Sequence, residues 1–302
     1  MSERYDFCTI GAGTAGFAAA EAARALGKSV LLVSGTGDLG GTCILRGCMP
    51  AKTLLGSTER LSEVRKSDAV GVRTERAHAD LPAMIARKRE LVDYFAEDRR
   101  HDLEAFPLAR GRARFVALNA IDVGGRRIEA ERFVIAPGSR ITLPAIDGLA
   151  ACEPFTSDDA LEMTAVPPSL LVLGGGPVGC EFAQYFARLG AAVTLVQSEA
   201  TLLRNEDADV GEAVEAFLAH DGVEVLAHTT VLTFSRDDGA CVATLERGGE
   251  RFERRIARVM VATNRHPDVA DLGLAAAGVR ANERGIETDA ELRTSNPAIF
   301  AA

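Results

Sequence analysis

Cys43 and Cys48 lie with four residues between them in the stretch Gly40-Gly41-Thr42-Cys43-Ile44-Leu45-Arg46-Gly47-Cys48-Met49-Pro50-Ala51-Lys52. So short a glycine-bounded loop can close into a disulfide, because the bridge needs Cα atoms only about 4.4–6.8 Å apart. Closing it removes little entropy from the unfolded chain, so stability is a poor reason for the bridge and redox exchange a better one. Metal binding is the weaker chemistry: a zinc site takes four ligands, usually on tighter cysteine spacings, and no second pair follows. A third reading is two buried thiols near a helix start. Lys52 stands four positions after Cys48, about one helical turn, and a nearby lysine can favour a thiolate.

Elements able to position this stretch flank it. Phe7-Cys8-Thr9-Ile10 reads as a buried strand, Gly11-Ala12-Gly13-Thr14-Ala15-Gly16 as a turn, the alanine-rich run through residue 26 as a helix, and Val30-Leu31-Leu32-Val33 as a second strand. Strand, glycine turn, helix and strand in that order form a dinucleotide fingerprint. Gly11 permits the tight turn, Gly13 lets a pyrophosphate approach the backbone, and Gly16 lets helix and strand pack closely. Unpaired N–H groups at the helix start then face the phosphates. The acid expected after the second strand, for the ribose hydroxyls, is replaced by Ser34, a neutral and weaker partner.

A second complete fingerprint runs from strand 170–173 through Gly174-Gly175-Gly176-Pro177-Val178-Gly179 into a helix over about 180–189 and a strand over 193–196. Gly174, Gly176 and Gly179 repeat the three glycine positions, and Gln197 holds the ribose position. Two such fingerprints suggest two dinucleotides, one per domain. Glu181 follows the last glycine by two residues, either as a group of the site or as a carboxylate favoured by the helix dipole.

The chain has 302 residues, 47% hydrophobic and 25% charged, which is ordinary globular composition and suits about two domains. A net charge of −9 argues against a nucleic-acid or anionic-membrane partner. No signal-peptide core opens the sequence and no apolar stretch could span a bilayer, so a cytoplasmic location is expected. Cys8, Cys152, Cys180 and Cys241 are scattered, unlike a secreted disulfide framework, and read as small buried apolar residues. Leu81, Met84, Ile85, Leu91, Val92 and Phe95 recur at helical spacing, which predicts a long helix over about 81–104 whose stripe serves packing. Residues 112–116 and 121–128 read as strands with a Gly124-Gly125 hairpin turn, 208–219 as a helix, and 223–262 as strands and hairpins.

The cysteine stretch, with the glycine fingerprint before it, resembles the redox-active segment of the flavin-dependent disulfide reductases, the glutathione reductase and dihydrolipoamide dehydrogenase family. Gly40, Gly41, Thr42, Cys43, Gly47, Cys48, Pro50 and Lys52 match, and Leu45 stands where many members have Asn. Phe133-Val134-Ile135-Ala136-Pro137-Gly138-Ser139 resembles the segment closing the family's first nucleotide domain. Arg265, Pro267 and Asp268 resemble its return crossover, with Asn264 where the family has Gly.

The resemblance implies an α/β fold of two Rossmann-like dinucleotide-binding domains, the second inserted into the first. The FAD-binding domain would cover 1–150, the NAD(P)-binding domain 151–263, and a return segment of the FAD domain 264–302. FAD would be held by Gly11, Gly13, Gly16, Ser34, Gly41, Thr42, Gly138 and Arg265, and NAD(P)H by Gly174, Gly176, Gly179 and Gln197. Gly179, where NADP-selective relatives often carry Ala, leans toward NAD, and Arg204 is the nearby candidate for a 2′-phosphate. The resemblance also implies a Cys43–Cys48 disulfide, with Cys48 facing the flavin and Cys43 exchanging with substrate. Lys52 would sit beside the flavin, Glu181 would approach Lys52 and the nicotinamide, and no resident metal is implied.

The implied activity is oxidoreduction between NAD(P)H and a small-molecule or protein-bound disulfide. A dihydrolipoamide dehydrogenase-like enzyme comes first and a mercuric reductase-like one second. A flavin-binding or thiol-sensing remnant without turnover is the third reading. The family's C-terminal dimerisation domain, which carries an acid–base His, is expected to be missing from this sequence. The family homodimer is expected only where that domain is present.

Overall fold

In a computed structural model, which describes residues 3–35, 37–263 and 265–302, the glycine-punctuated apolar runs form parallel strands. Asn264 lies outside the described residues. In chain order the first elements are β1 (Glu3–Ile10), α1 (Thr14–Ala25), β2 (Val30–Ser34), α2 (Gly41–Arg46), α3 (Cys48–Lys66) and α4 (Leu81–Leu103). β3 (Leu108–Arg110), β4 (Ala113–Ala117), β5 (Ala120–Val123), β6 (Arg126–Ile135) and β7 (Ser139–Ile141) follow. Next come α5 (Ser157–Ala160), β8 (Ser169–Leu173), α6 (Pro177–Arg188), β9 (Ala192–Val196), α7 (Ala208–His220) and β10 (Glu224–Leu226). β11 (Thr229–Asp237), β12 (Ala240–Arg247), β13 (Glu250–Ile256) and β14 (Arg258–Val261) continue, and β15 (Arg265–Pro267), β16 (Ala281–Asn282), β17 (Gly285–Ile286) and β18 (Ile299–Ala301) end the chain. No helix among the described residues is long and apolar enough to cross a membrane.

The chain divides into two compact units. The first comprises Met1–Met49, Leu91–Ile141 and Arg265–Ala302; the second comprises Pro50–Glu90 and Thr142–Asn264. In the first, one sheet runs in the order β3-β2-β1-β6-β5-β4, with β18 also pairing β6. β1, β2, β3, β6 and β18 are parallel, while β5 and β4 turn back antiparallel. Successive residues of β2 bury on opposite faces: Leu31 and Val33 join Cys8, Ile10 and Phe133, whereas Val30 and Leu32 join Phe17, Ala20 and Phe106. Burial on both faces is why these strands read as unbroken apolar runs.

The second unit holds a parallel sheet, β10-β9-β8-β14, and an antiparallel one, β11-β12-β13. α6 buries Phe182, Tyr185 and Phe186 against Leu170 and Val172 of β8, and the other face of β8 buries Leu171 and Leu173 with Val231, Phe234 and Leu245. Residues 50–90 group with this unit, although the sequence places them before the expected boundary near 150. The cause is packing: Leu54 and Ile85, 1% and 2% exposed, enter the cluster of Phe182 and Tyr185. Burying each such side chain contributes about 1.5–3 kcal/mol.

Candidate functional site

Both glycine turns adopt the same construction. Gly11 has φ 116° and Gly174 φ 113°, a region that only glycine enters without strain. A Cβ on Gly11 would sit 1.9 Å from the Ala136 carbonyl oxygen, and one on Gly174 2.8 Å from the Ala262 carbonyl oxygen. The third glycines are tighter: a Cβ on Gly16 or Gly179 would lie 1.8 Å from the carbonyl oxygen of Gly11 or Gly174. Each helix therefore leaves its strand at backbone-to-backbone distance. Neither α1 nor α6, capped by Gly13 and Gly176, has a side-chain bond at its N-cap, so their first N–H groups remain available to an anion. Thr263, whose Cα is 3.0 Å from a Cβ built on Gly174, carries a buried hydroxyl without a hydrogen-bond partner. These glycine cradles and uncapped helix starts fit dinucleotide phosphates.

The thiol stretch meets the first cradle. A Cβ on Gly41 would be 2.7 Å from the Gly13 Cα, so α2 begins against the start of α1. Cys43 lies on α2 and is half-buried, as is Thr42; Cys48 opens α3 and is exposed. Gly47 separates the helices, and a Cβ there would be 2.9 Å from the Thr42 carbonyl oxygen and 3.2 Å from the Cys43 Cα. Glycine is thus required where the chain folds back on the turn carrying Cys43. The Leu45 side chain fills the space over Gly40, 3.2 Å from a Cβ built there.

Ser34 ends β2 and is half-buried. Gly138 accepts the Asp268 N–H at 3.0 Å, and Arg265 Nε donates to Ser139 Oγ at 3.1 Å, which stitches β15 to β7 in the first unit. In the second unit Lys52 pairs with Glu181. Gln197 is buried, with its Oε1 facing the Gly175 N–H at 3.5 Å and its Cβ 3.0 Å from a Cβ built on Gly175. It props the glycine turn. Beyond β9, Glu199 and Arg204 are exposed and form an ion pair at 3.3 Å.

Two features escape a reading of the sequence. Lys88, 2% exposed, donates to the Leu161 carbonyl oxygen at 2.9 Å and pairs with Glu162, which Arg89 also binds at 2.7 Å. Its position four after Met84 and four before Val92 places it on the apolar stripe of α4, and that was the available signal. Asp221, just after α7, accepts from Lys66 at 2.9 Å, Arg188 at 2.8 Å and Gln184 at 2.9 Å. Cys8, Cys152, Cys180 and Cys241 are buried, and burial pushes the thiols of Cys8, Cys152 and Cys180 up to about 12.

Residues 5–302 match the family model described as pyridine nucleotide-disulphide oxidoreductase. The chain is 38% identical to a mercuric reductase of Streptomyces lividans, over 99% of this chain and 65% of that protein. It is 34% identical to the dihydrolipoyl dehydrogenase of Bacillus subtilis, over 97% and 65%. A solved structure, the Cu(II) complex of the HOCl-induced flavoprotein disulfide reductase RclA from Escherichia coli, superposes with a TM-score of 0.82 at 27% identity, over 100% of this chain and 66% of that one. The chain spans between 48% and 65% of the length of the curated relatives it matches. On the family match, with its duplicated glycine cradles and thiol stretch, this chain belongs to the pyridine nucleotide-disulphide oxidoreductases.

Proposed function

We propose that this chain takes part in moving reducing equivalents between NAD(P)H and a disulfide, with Cys43 and Cys48 as the exchanging pair. The observation that carries the reading is the contact of Gly41 with Gly13, which seats the thiol stretch at the mouth of the first cradle. The first unit would hold FAD, on Gly11, Gly13, Gly16, Ser34, Gly41, Thr42, Gly138 and Arg265. The second would hold the nicotinamide dinucleotide, on Gly174, Gly176 and Gly179. When bound, these two groups supply the two-electron chemistry that side chains lack.

The chain's own chemistry is thiol exchange. The Cys43 thiolate attacks one sulfur of the substrate disulfide; that S–S bond breaks, and the first substrate thiol leaves with a proton from solvent. Cys48 then attacks Cys43, releasing the second thiol and closing the Cys43–Cys48 bond. The substrate gains two electrons and the cysteine pair loses two. Lys52 and Glu181 would set charge and orientation near the nicotinamide. A dihydrolipoamide dehydrogenase-like substrate is the first reading. A mercuric reductase-like one is the second, favoured by the 38% identity to the Streptomyces protein.

Anaerobic titration tests the proposal. The FAD-loaded protein is expected to be yellow and to lose its visible flavin absorbance with NADH, then to regain it on adding oxidised lipoamide or Hg(II). A protein that takes up no FAD, or whose flavin colour persists with excess NADH and NADPH, would overturn it.

A further inference from the structure

A second pair of thiols meets far from the glycine cradles. Cys152 ends a short 3-10 turn, Leu149–Cys152, and Cys241 is the second residue of β12, 89 positions away. Both belong to one apolar cluster and are 2% and 1% exposed. The Cys241 thiol donates to the Cys152 carbonyl oxygen at 3.7 Å, and the Cys152 thiol donates to the Ser235 carbonyl oxygen at 3.6 Å. The Cys241 sulfur thus lies against the Cys152 backbone, which makes the two side chains neighbours.

From this geometry we infer that Cys152 and Cys241 form a second redox dithiol, which hydrogen peroxide closes into a disulfide and a dithiol reductant reopens. The backbones bearing the two thiols are fixed. Phe234 N–H donates to the Asp147 carbonyl oxygen at 2.8 Å, and a Cβ on Gly148 would lie 1.7 Å from the Phe234 carbonyl oxygen. Arg236 Nη1 donates to the Ala151 carbonyl oxygen at 3.2 Å, and Arg236 is the register partner of Cys241. The turn is thereby clamped to β11, and β11 to β12. With the two side chains adjacent and both backbones held, forming the bond requires the sulfurs to turn from their carbonyl partners toward each other.

Burial, and then the contact with Cys241, push the Cys152 thiol up to about 12, while the Arg236 guanidinium pulls in the opposite direction. Thiolate is therefore scarce and reaction slow, while the burial of both side chains excludes bulky alkylating reagents and glutathione, so a small neutral peroxide is the fitting oxidant. Cys152, whose thiolate the Arg236 guanidinium favours, reacts first. Its thiolate attacks one peroxide oxygen, the O–O bond breaks, and the departing hydroxide takes a proton to become water. This leaves Cys152 as a sulfenic acid. The Cys241 sulfur then attacks the Cys152 sulfur, the S–O bond breaks, and the departing oxygen leaves as a second water with the Cys241 proton. Two thiols and one hydrogen peroxide give one disulfide and two waters.

The test uses the full chain carrying Cys43→Ser and Cys48→Ser, so that only the second pair can respond. After peroxide treatment the protein is denatured in N-ethylmaleimide and digested without reductant. The expected product is a peptide joining positions 152 and 241, two hydrogens lighter than its parts and split by dithiothreitol. Recovery of both cysteines as maleimide adducts, or as separate sulfinic acids, would overturn the inference. The same mapping on the unsubstituted chain separates the two pairs by mass, so the result does not depend on folding of the double variant. Cross-linking a loop of this length constrains the unfolded chain, so oxidation is also expected to raise the melting temperature by about 4 °C or more. An equal rise with Cys241→Ala added would count against a bond between these two residues.

Discussion

Lys52 on α3 and Glu181 on α6 form an ion pair between positions 129 apart in the sequence. α3 opens at Cys48, and α6 opens at the second glycine turn. The Lys52 side chain is 60% exposed and that of Glu181 29%, so solvent screens the pair. Ion pairs this exposed contribute about 0–1 kcal/mol to folding, too little to explain the pairing by stability alone.

Lys52→Met and Glu181→Gln are therefore each expected to lower the unfolding free energy in urea by less than about 1 kcal/mol. On the proposed function, each slows anaerobic bleaching of the flavin by NADH at least tenfold. A stability loss of about 3 kcal/mol with an unchanged bleaching rate would mark the pair as a structural bond instead.

The third glycines separate the two cradles experimentally. A Cβ on Gly16 or Gly179 meets a backbone carbonyl oxygen at 1.8 Å, and backbone cannot swing away as a side chain can. Gly16→Ala is expected to give protein that retains little FAD. Gly179→Ala should keep the yellow colour and weaken NADH binding tenfold or more. Gly56, in the middle of α3, is the contrast, because a Cβ there meets only the Arg60 guanidinium at 3.9 Å. Gly56→Ala is expected to stabilise the protein by about 0.5–1 kcal/mol, through higher helix propensity. Urea unfolding and retained flavin absorbance check all three variants.

Both cradles were legible in the sequence because their glycines act within a few residues. Gly11 and Gly16 meet each other, as do Gly174 and Gly179, so spacing alone specifies the turn. The predicted helix over 81–104 is α4, Leu81–Leu103, for a similar reason: its stripe repeats within one element. Long-range packing carried no such mark. The burial of Leu54 and Ile85 with Phe182, and the turning of Gln197 toward Gly175, depend on partners distant in sequence. Lys88 lay in plain view on the α4 stripe, but a lysine is normally counted as surface. Its burial depends on the Leu161 carbonyl and Glu162, 73 and 74 positions away.

Asp221 gives a pH signature. Its side chain is 5% exposed. Burial alone would raise its pKa, but hydrogen bonds from Lys66, Arg188 and Gln184 outweigh that and hold it below the ordinary 3.8. A carboxylate lowered in this way stabilises the fold fully above about pH 4, and the contribution fades as pH falls through the folded-state pKa. Asp221→Asn is expected to cost about 2–4 kcal/mol at pH 7, because it leaves the half-buried Arg188 without its partner. The gap between variant and parent should shrink as pH drops below about 4. A gap that stays constant between pH 7 and pH 3 would show that the carboxylate charge contributes nothing.

On the proposed function, nucleotide choice would turn on the end of β9. Gln197 faces the glycine turn, so Glu199 and Arg204 would be the candidate charged groups for an adenosine ribose. They hold each other at 3.3 Å, with the Arg204 side chain 64% exposed and the Glu199 side chain 51%. Glu199 suits the two ribose hydroxyls of NADH, while Arg204 suits a 2′-phosphate once it leaves Glu199. The bond between them is exposed and worth about 0–1 kcal/mol, so it is easily exchanged. The parent chain should then prefer NADH by no more than about tenfold, roughly 1.4 kcal/mol. Arg204→Ala is expected to slow flavin reduction by NADPH tenfold or more and to leave reduction by NADH within about threefold. Glu199→Gln frees Arg204 and should move the preference toward NADPH. Stopped-flow reduction with both nucleotides decides the matter. If Arg204→Ala lowers both rates equally, the arginine holds the loop rather than reading the phosphate.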